Sequence, residues 1–211
     1  MRVKLGIGAP QGNPALTAVM AELRPDLIGL QEVWARGGQN LAGWLASHLG
    51  MHWTWAPSRA PQRWQRRLGD STVDIGNVVL SRWPITEHDT VELPARPDDD
   101  DGRLALYARI DGPTHQVPFF TTHLTSAMDA SAVRCRQVDV LADTDPARPS
   151  ATWDTANPYV AAGFEPGVRV DYIHVGLPGP DGLGSVSAVR PVGTDRSAVS
   201  GRSTTLPSSR T

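Results

Sequence analysis

Apolar positions along the chain switch between two spacings, and each switch marks an element. Leu16, Val19, Met20 and Leu23 fall at i, i+3, i+4 and i+7, the stripe of an amphipathic helix. Asn13-Pro14 supplies its start, with Asn as the capping side chain and Pro where no amide hydrogen is needed. Arg2–Gly8 before it predicts a short strand, and Leu27–Val33 after it a largely buried one. Leu41, Trp44, Leu45, His48 and Leu49 share the face of a second helix that Gly50 stops. Met51, Trp53 and Trp55 alternate, which predicts a strand. Pro57–Asp74 reads as a polar, Arg-rich loop. Strands are then predicted at Gly76–Ser81, Thr86–Leu93, Leu104–Asp111 and Val117–Leu124. Asp129 is the expected cap of a third helix, with Ala130, Val133, Gln137, Val140 and Leu141 inward. Strands at Val168–Val175 and near Ser185–Val192 complete the series. Runs of consecutive strands with helices between others predict an α/β or α+β layered sandwich. Asp195–Thr211 is aperiodic and rich in Ser, Thr and Arg, unlike the end of a folded domain.

Composition narrows the class without choosing a function. A chain of 211 residues, 40% hydrophobic and 20% charged, suits one globular domain and excludes disordered and fibrous classes. One cysteine, Cys135, excludes an internal disulfide framework and a multi-cysteine zinc site. A net charge of −2 gives no broad basic footprint for tight, metal-free nucleic-acid binding. No apolar run is long enough for a membrane span, and the short Leu5-Gly6-Ile7-Gly8 run makes no signal peptide. The expectation is a cytoplasmic monomer.

Three side chains carry candidate chemistry. Glu32 ends the apolar run Leu27-Ile28-Gly29-Leu30-Gln31, and strand alternation would place it on the face of Ile28 and Leu30. A carboxylate there is either in solvent or held by a partner or metal, because burying it alone is costly. Asp171 poses the same question in Val168-Arg169-Val170-Asp171-Tyr172-Ile173, with an arginine salt bridge as the plainer reading. Two acids at the ends of buried strands suit a hard, oxygen-preferring cation such as Mg²⁺. His123 closes Phe119-Phe120-Thr121-Thr122-His123; it is either a satisfied core histidine or a donor to a phosphate oxygen. Asp98–Asp101 reads as a solvated hairpin loop. Arg59, Arg63, Arg66 and Arg67 around Trp64 are either an exposed loop or a contact for a phosphate backbone. Cys135 reads as a spectator thiol.

Five stretches occur together and in order: Leu30-Gln31-Glu32-Val33, Gly76-Asn77-Val78-Val79-Leu80-Ser81-Arg82, Thr122-His123-Leu124, Arg134-x-x-Gln137 and Arg169-Val170-Asp171-Tyr172-Ile173. In these the chain resembles the endonuclease/exonuclease/phosphatase superfamily, the deoxyribonuclease-I-like fold, from about Leu23 to Val192. The resemblance implies a four-layer α/β (α+β) sandwich, two central mixed sheets flanked by helices. It implies phosphoester hydrolysis dependent on Mg²⁺ or Mn²⁺, by an activated water. Carried over by position, Glu32 is the metal ligand, His123 contacts the scissile phosphate, and Asp171 supports catalysis. Asn77 lies in a motif read as structural or substrate-facing. The implied substrate is a phosphate ester of open class: nucleic acid, phospholipid head group or small phosphodiester.

The sequence departs from the family in three places. The first strand lacks the usual Thr-Trp-Asn, reading Lys4-Leu5-Gly6-Ile7-Gly8-Ala9. No Gly-Asp-x-Asn follows the third helix, where a segment near 143–151 is expected to be missing. No Ser-Asp-His occurs. Read from the third base of each codon, permitted codons for Val199–Ser209 encode a Trp-Pro-Leu-Asp-His ending, which predicts a reading-frame slip near Asp195. The expected organisation is one domain over 1–194 and an aberrant tail over 195–211. Impaired hydrolysis is the leading expectation, and a non-catalytic phosphate- or protein-binding module the alternative.

Overall fold

The computed structural model describes residues 14–97, 101–141 and 171–175. The expected strands at Arg2–Gly8 and Ser185–Val192, the 143–151 segment and the 195–211 tail lie outside these residues. Helix α1 spans Pro14–Leu23, with Leu16 and Met20 of its stripe buried. Strand β1 (Leu27–Arg36) runs three residues beyond its expected end, and β2 is the pair Gln39–Asn40. Helix α2 (Leu41–Leu49) begins where Asn40 Oδ1 accepts the Ala42 amide, and ends at Gly50 in the left-handed conformation that glycine adopts freely.

Strand β3 (His52–Pro57) leads into helix α3 (Gln62–Leu68), which lies within the stretch read as loop. None of its residues is buried, so it carries no apolar stripe for periodicity to detect. Strands β4 (Val73–Ser81), β5 (Ile85–Glu92), β6 (Leu104–Asp111) and β7 (Gln116–His123) follow, then α4 (Ser131–Leu141) and β8 (Asp171–Val175). Asp129 is not the cap of α4: the first intrahelical acceptor is the Ala130 carbonyl, and the Asp129 carboxylate pairs with Arg96 at 2.9 Å. That hydrogen bond holds its carboxyl below the ordinary aspartate range.

The strands form two four-stranded sheets, ordered β2-β1-β4-β3 and β5-β6-β7-β8. Every pairing among the described residues is antiparallel, where mixed sheets were expected. Strand β4 is buried on both faces. Val78 and Leu80 join Met20, Leu30 and Leu45 under the helices, while Val79 joins Ala56, Leu106 and Phe119 between the sheets. The result is a helical layer on the first sheet and the second sheet on its other face, an α+β sandwich.

Candidate active site

The site begins with an irregularity in β1. Leu30 pairs with Val78 and Val33 with Gly76, so Gln31 and Glu32 together stand opposite Asn77. Two residues against one is a β-bulge, a device that re-aims a side chain. Glu32 occupies the left-handed region at φ 53°, which costs a residue with a Cβ about 1–2 kcal/mol. As a result Leu30 and Val33, three apart, both reach the core under the helices, while Glu32 turns toward the other sheet. The expectation that Glu32 shares the face of Ile28 and Leu30 is thereby corrected.

Glu32 meets His123, the last residue of β7, which is 5% exposed. His123 Nδ1 donates to the Leu124 carbonyl at 2.9 Å, and Nε2 lies 3.1 Å from Glu32 Oε1. A carbonyl oxygen only accepts, so Nδ1 carries a hydrogen and the proton of the second contact lies between Nε2 and the carboxylate. Asp171 stands directly across from His123 in the β7–β8 ladder. Its side chain is outside the described residues.

Buried polar ties fix the two sheets around this pair. Gln31 Nε2 donates to Thr121 Oγ1 at 2.8 Å. Asn77 Nδ2 and Thr122 Oγ1 both donate to the Leu104 carbonyl, at 2.9 and 2.8 Å. The Asn77 amide therefore bridges the sheets beside the bulge. Gly29 allows the close approach, since a Cβ there would lie 3.0 Å from Thr121 Oγ1 and 3.2 Å from Ile173 Cγ1.

The loop after His123 is clamped from α4. Gln137, fully buried, accepts the Thr125 amide at 3.0 Å and donates to the Pro94 carbonyl and Thr125 Oγ1 at 2.8 and 3.0 Å. Arg134 donates to the Thr125 and Ala127 carbonyls at 3.2 and 2.6 Å. Thr125 Oγ1 donates in turn to Asp101, which pairs with Arg103 at 2.6 Å. Asp101 and Arg103 are 13% and 16% exposed, so this acid is no part of a solvated loop. Asp98, Asp99 and Asp100 lie outside the described residues, and Cys135 is free and exposed.

Of the expected site residues, Glu32 and His123 are in contact, Asn77 sits across the bulge, and Asp171 shares the register of His123. Gln31 and Thr121 were not anticipated. A buried Gln beside an acid at a strand end was the available signal for that tie. No three His, Cys, Asp or Glu side chains gather among the described residues. Glu32 nevertheless suits Mg²⁺, which commonly takes one or two carboxylates and completes its shell with water and substrate phosphate. Its carboxylate is 20% exposed, accessible to such a cation.

Solved structures with similar folds include an endonuclease/exonuclease/phosphatase family protein from Leptotrichia buccalis C-1013-b, 17% identical, with TM-score 0.45, covering 64% of this chain and 55% of that one. The human Nocturnin catalytic domain with bound sulfate is 18% identical, with TM-score 0.48, covering 61% and 47%. A humanized D. rerio TDP2 is 16% identical, with TM-score 0.49, covering 76% and 73%. The chain thus spans about half the length of the first two. No curated protein sequence matches it. The sequence model of the Endonuclease/Exonuclease/phosphatase family matches residues 11–163, which takes in the bulge, Asn77, His123 and the α4 clamp. The chain belongs to the endonuclease/exonuclease/phosphatase family.

Proposed function

We propose that the chain is a divalent-metal-dependent phosphoester hydrolase of low turnover. The observation that carries this reading is the approach of Glu32 to His123 across two sheets, held on a strained bulge. Conformational strain of this kind persists where surrounding structure over-determines it, and it clusters at functional sites. Glu32 would hold Mg²⁺ or Mn²⁺. The bound cation would supply a Lewis acid that stabilises charge on the phosphoryl oxygens. His123, its Nδ1–H fixed on the Leu124 carbonyl, would present Nε2–H to a phosphate oxygen. Asn77 would keep the bulge and the substrate-facing edge of β4 in place through its bond to Leu104. Asp171, opposite His123 in register, would support the imidazole.

Low turnover follows from the missing Gly-Asp-x-Asn and Ser-Asp-His motifs, whose Asp, Asn and His orient the water and move its proton in the family the chain resembles. Losing one acid–base group alone removes roughly 10²–10⁴-fold of rate. No helix among the described residues is long and apolar enough to cross a membrane. We place the protein in the cytoplasm as a monomer acting on a phosphate ester.

The test is p-nitrophenol release from bis-p-nitrophenyl phosphate across a Mg²⁺ titration. Slow, metal-dependent release that Glu32→Ala abolishes is the expected result. Phosphate-ester binding that ignores the cation, without turnover, would overturn it in favour of a non-catalytic binding module.

A further inference from the structure

Helix α3 reads Gln62-Arg63-Trp64-Gln65-Arg66-Arg67-Leu68, and none of its side chains is buried. Core formation therefore does not account for its composition. Trp64 packs edge-on against Trp34 of β1, ring centroids 5.2 Å apart and planes at 80°. The guanidinium carbons of Arg63 and Arg67 lie 6.0 and 5.5 Å from the Trp64 ring, within cation–π range. Among the described residues no carboxylate pairs with Arg63, Arg66 or Arg67. These three are permanent cations without a counter-ion among the described residues.

The helix is fixed close to Glu32. Arg36 of β1 pairs with Asp70 in the turn after α3 at 2.5 Å, and Gln65 Nε2 donates to the Val73 carbonyl at 3.0 Å. Trp34 is two residues beyond Glu32, roughly 7 Å along a strand. It follows Val33, which faces the helix-side core, so alternation turns Trp34 to the face of the sheet that looks toward His123.

We propose that α3 is a landing platform for single-stranded nucleic acid, which pairs its phosphates with Arg63, Arg66 and Arg67 and stacks a base against the Trp34–Trp64 pair. The inference rests on the phosphodiester reading above and narrows its substrate class. A polymer with a phosphate on every unit can set one at Glu32 and His123 while its neighbours lie on α3. A ligand with one phosphate cannot use both places. The net charge of −2 confines positive potential to a small patch, which suits a few nucleotides of one strand rather than a duplex.

The test is fluorescence anisotropy of a labelled oligothymidylate with the full chain in EDTA. Arg63→Ala combined with Arg67→Ala is expected to weaken binding by about tenfold or more at about 50 mM salt. It should also reduce the log–log salt slope by about 1.4, for two phosphate contacts. Arg24→Gln combined with Arg109→Gln removes as many charges elsewhere and should change affinity by less than about twofold. Equal loss in both variants overturns the proposal, as does binding to vesicles containing a phosphoinositide but not to the oligonucleotide. The measurement needs neither metal nor turnover. Oligonucleotide binding without Mg²⁺-dependent hydrolysis would overturn the hydrolase reading and keep the platform; hydrolysis without oligonucleotide binding would do the reverse.

Discussion

His123 Nε2 lies 3.1 Å from Glu32 Oε1, although the two residues are 91 positions apart and sit on different sheets. Only the left-handed backbone of Glu32 lets the carboxylate cross that gap, and this can be read from stability. Glu32→Ala and Glu32→Gly both delete the carboxylate, but only glycine relieves the conformation. Glycine ordinarily weakens a strand relative to alanine. Here the order should invert, with Glu32→Gly more stable than Glu32→Ala by about 1 kcal/mol in guanidinium denaturation. Alanine matching or exceeding glycine would mean that Glu32 does not hold this backbone.

The clamp on the His123 loop has a different signature. Gln137→Leu keeps the bulk of a fully buried side chain but strands the Thr125 amide and the Pro94 carbonyl. Each unsatisfied buried group costs about 1–3 kcal/mol. The variant should lose about 2–4 kcal/mol by urea titration, far more than Arg136→Ala on the exposed side of α4. A loss below about 1 kcal/mol would mean that water replaces the amide.

Gly76 opens the motif that contains Asn77. A Cβ there would lie 2.1 Å from the Ala56 carbonyl oxygen, an atom of the backbone with little room to yield. Gly76→Ala should therefore destabilise by about 3 kcal/mol, at the upper end of overpacking. Gly43→Ala, whose Cβ would meet only the Trp53 side chain at 3.2 Å, should cost much less. Comparison of the two melting curves checks this.

A source of acid sensitivity lies in the turn that anchors α3. The hydroxyl and amide of Thr72, then Arg36, hold the Asp70 carboxyl below the ordinary aspartate value of 3.8. A depressed folded value means stability present above the unfolded pKa and lost as pH falls through the folded one. Thr72→Ala should raise the Asp70 titration midpoint toward 3.8, as followed by carboxyl NMR, and flatten the stability change below about pH 4. An unmoved midpoint would assign the shift to the residue-72 amide, which the variant keeps, and to Arg36.

The elements that bury one face were legible. α1, α2 and β6 appear at or near their expected bounds because an apolar stripe, strand alternation or a terminal Gly50 states the period and the end. Helix α3 was not, because an element without buried residues writes no stripe. Glu32 and His123 were legible as candidates, but the face of Glu32 was not. A bulge changes the parity of a strand, and parity is all that an alternation argument counts. Asp129 looked like a cap because an acid before a helix usually is one; Arg96, far off in sequence, took the carboxylate instead.

The Leu104 carbonyl accepts from Asn77 of one sheet and Thr122 of the other. A main-chain oxygen cannot be substituted away, and having two donors makes it tolerant of losing one. Asn77→Ala or Thr122→Val alone leaves the acceptor paired, whereas the two together leave it bare in the interior. The double variant should thus lose about 1–3 kcal/mol more than the two single losses added together, the penalty for a bare acceptor that neither single variant incurs. Redundancy of this kind would let each residue drift singly over generations while the pair stays constrained.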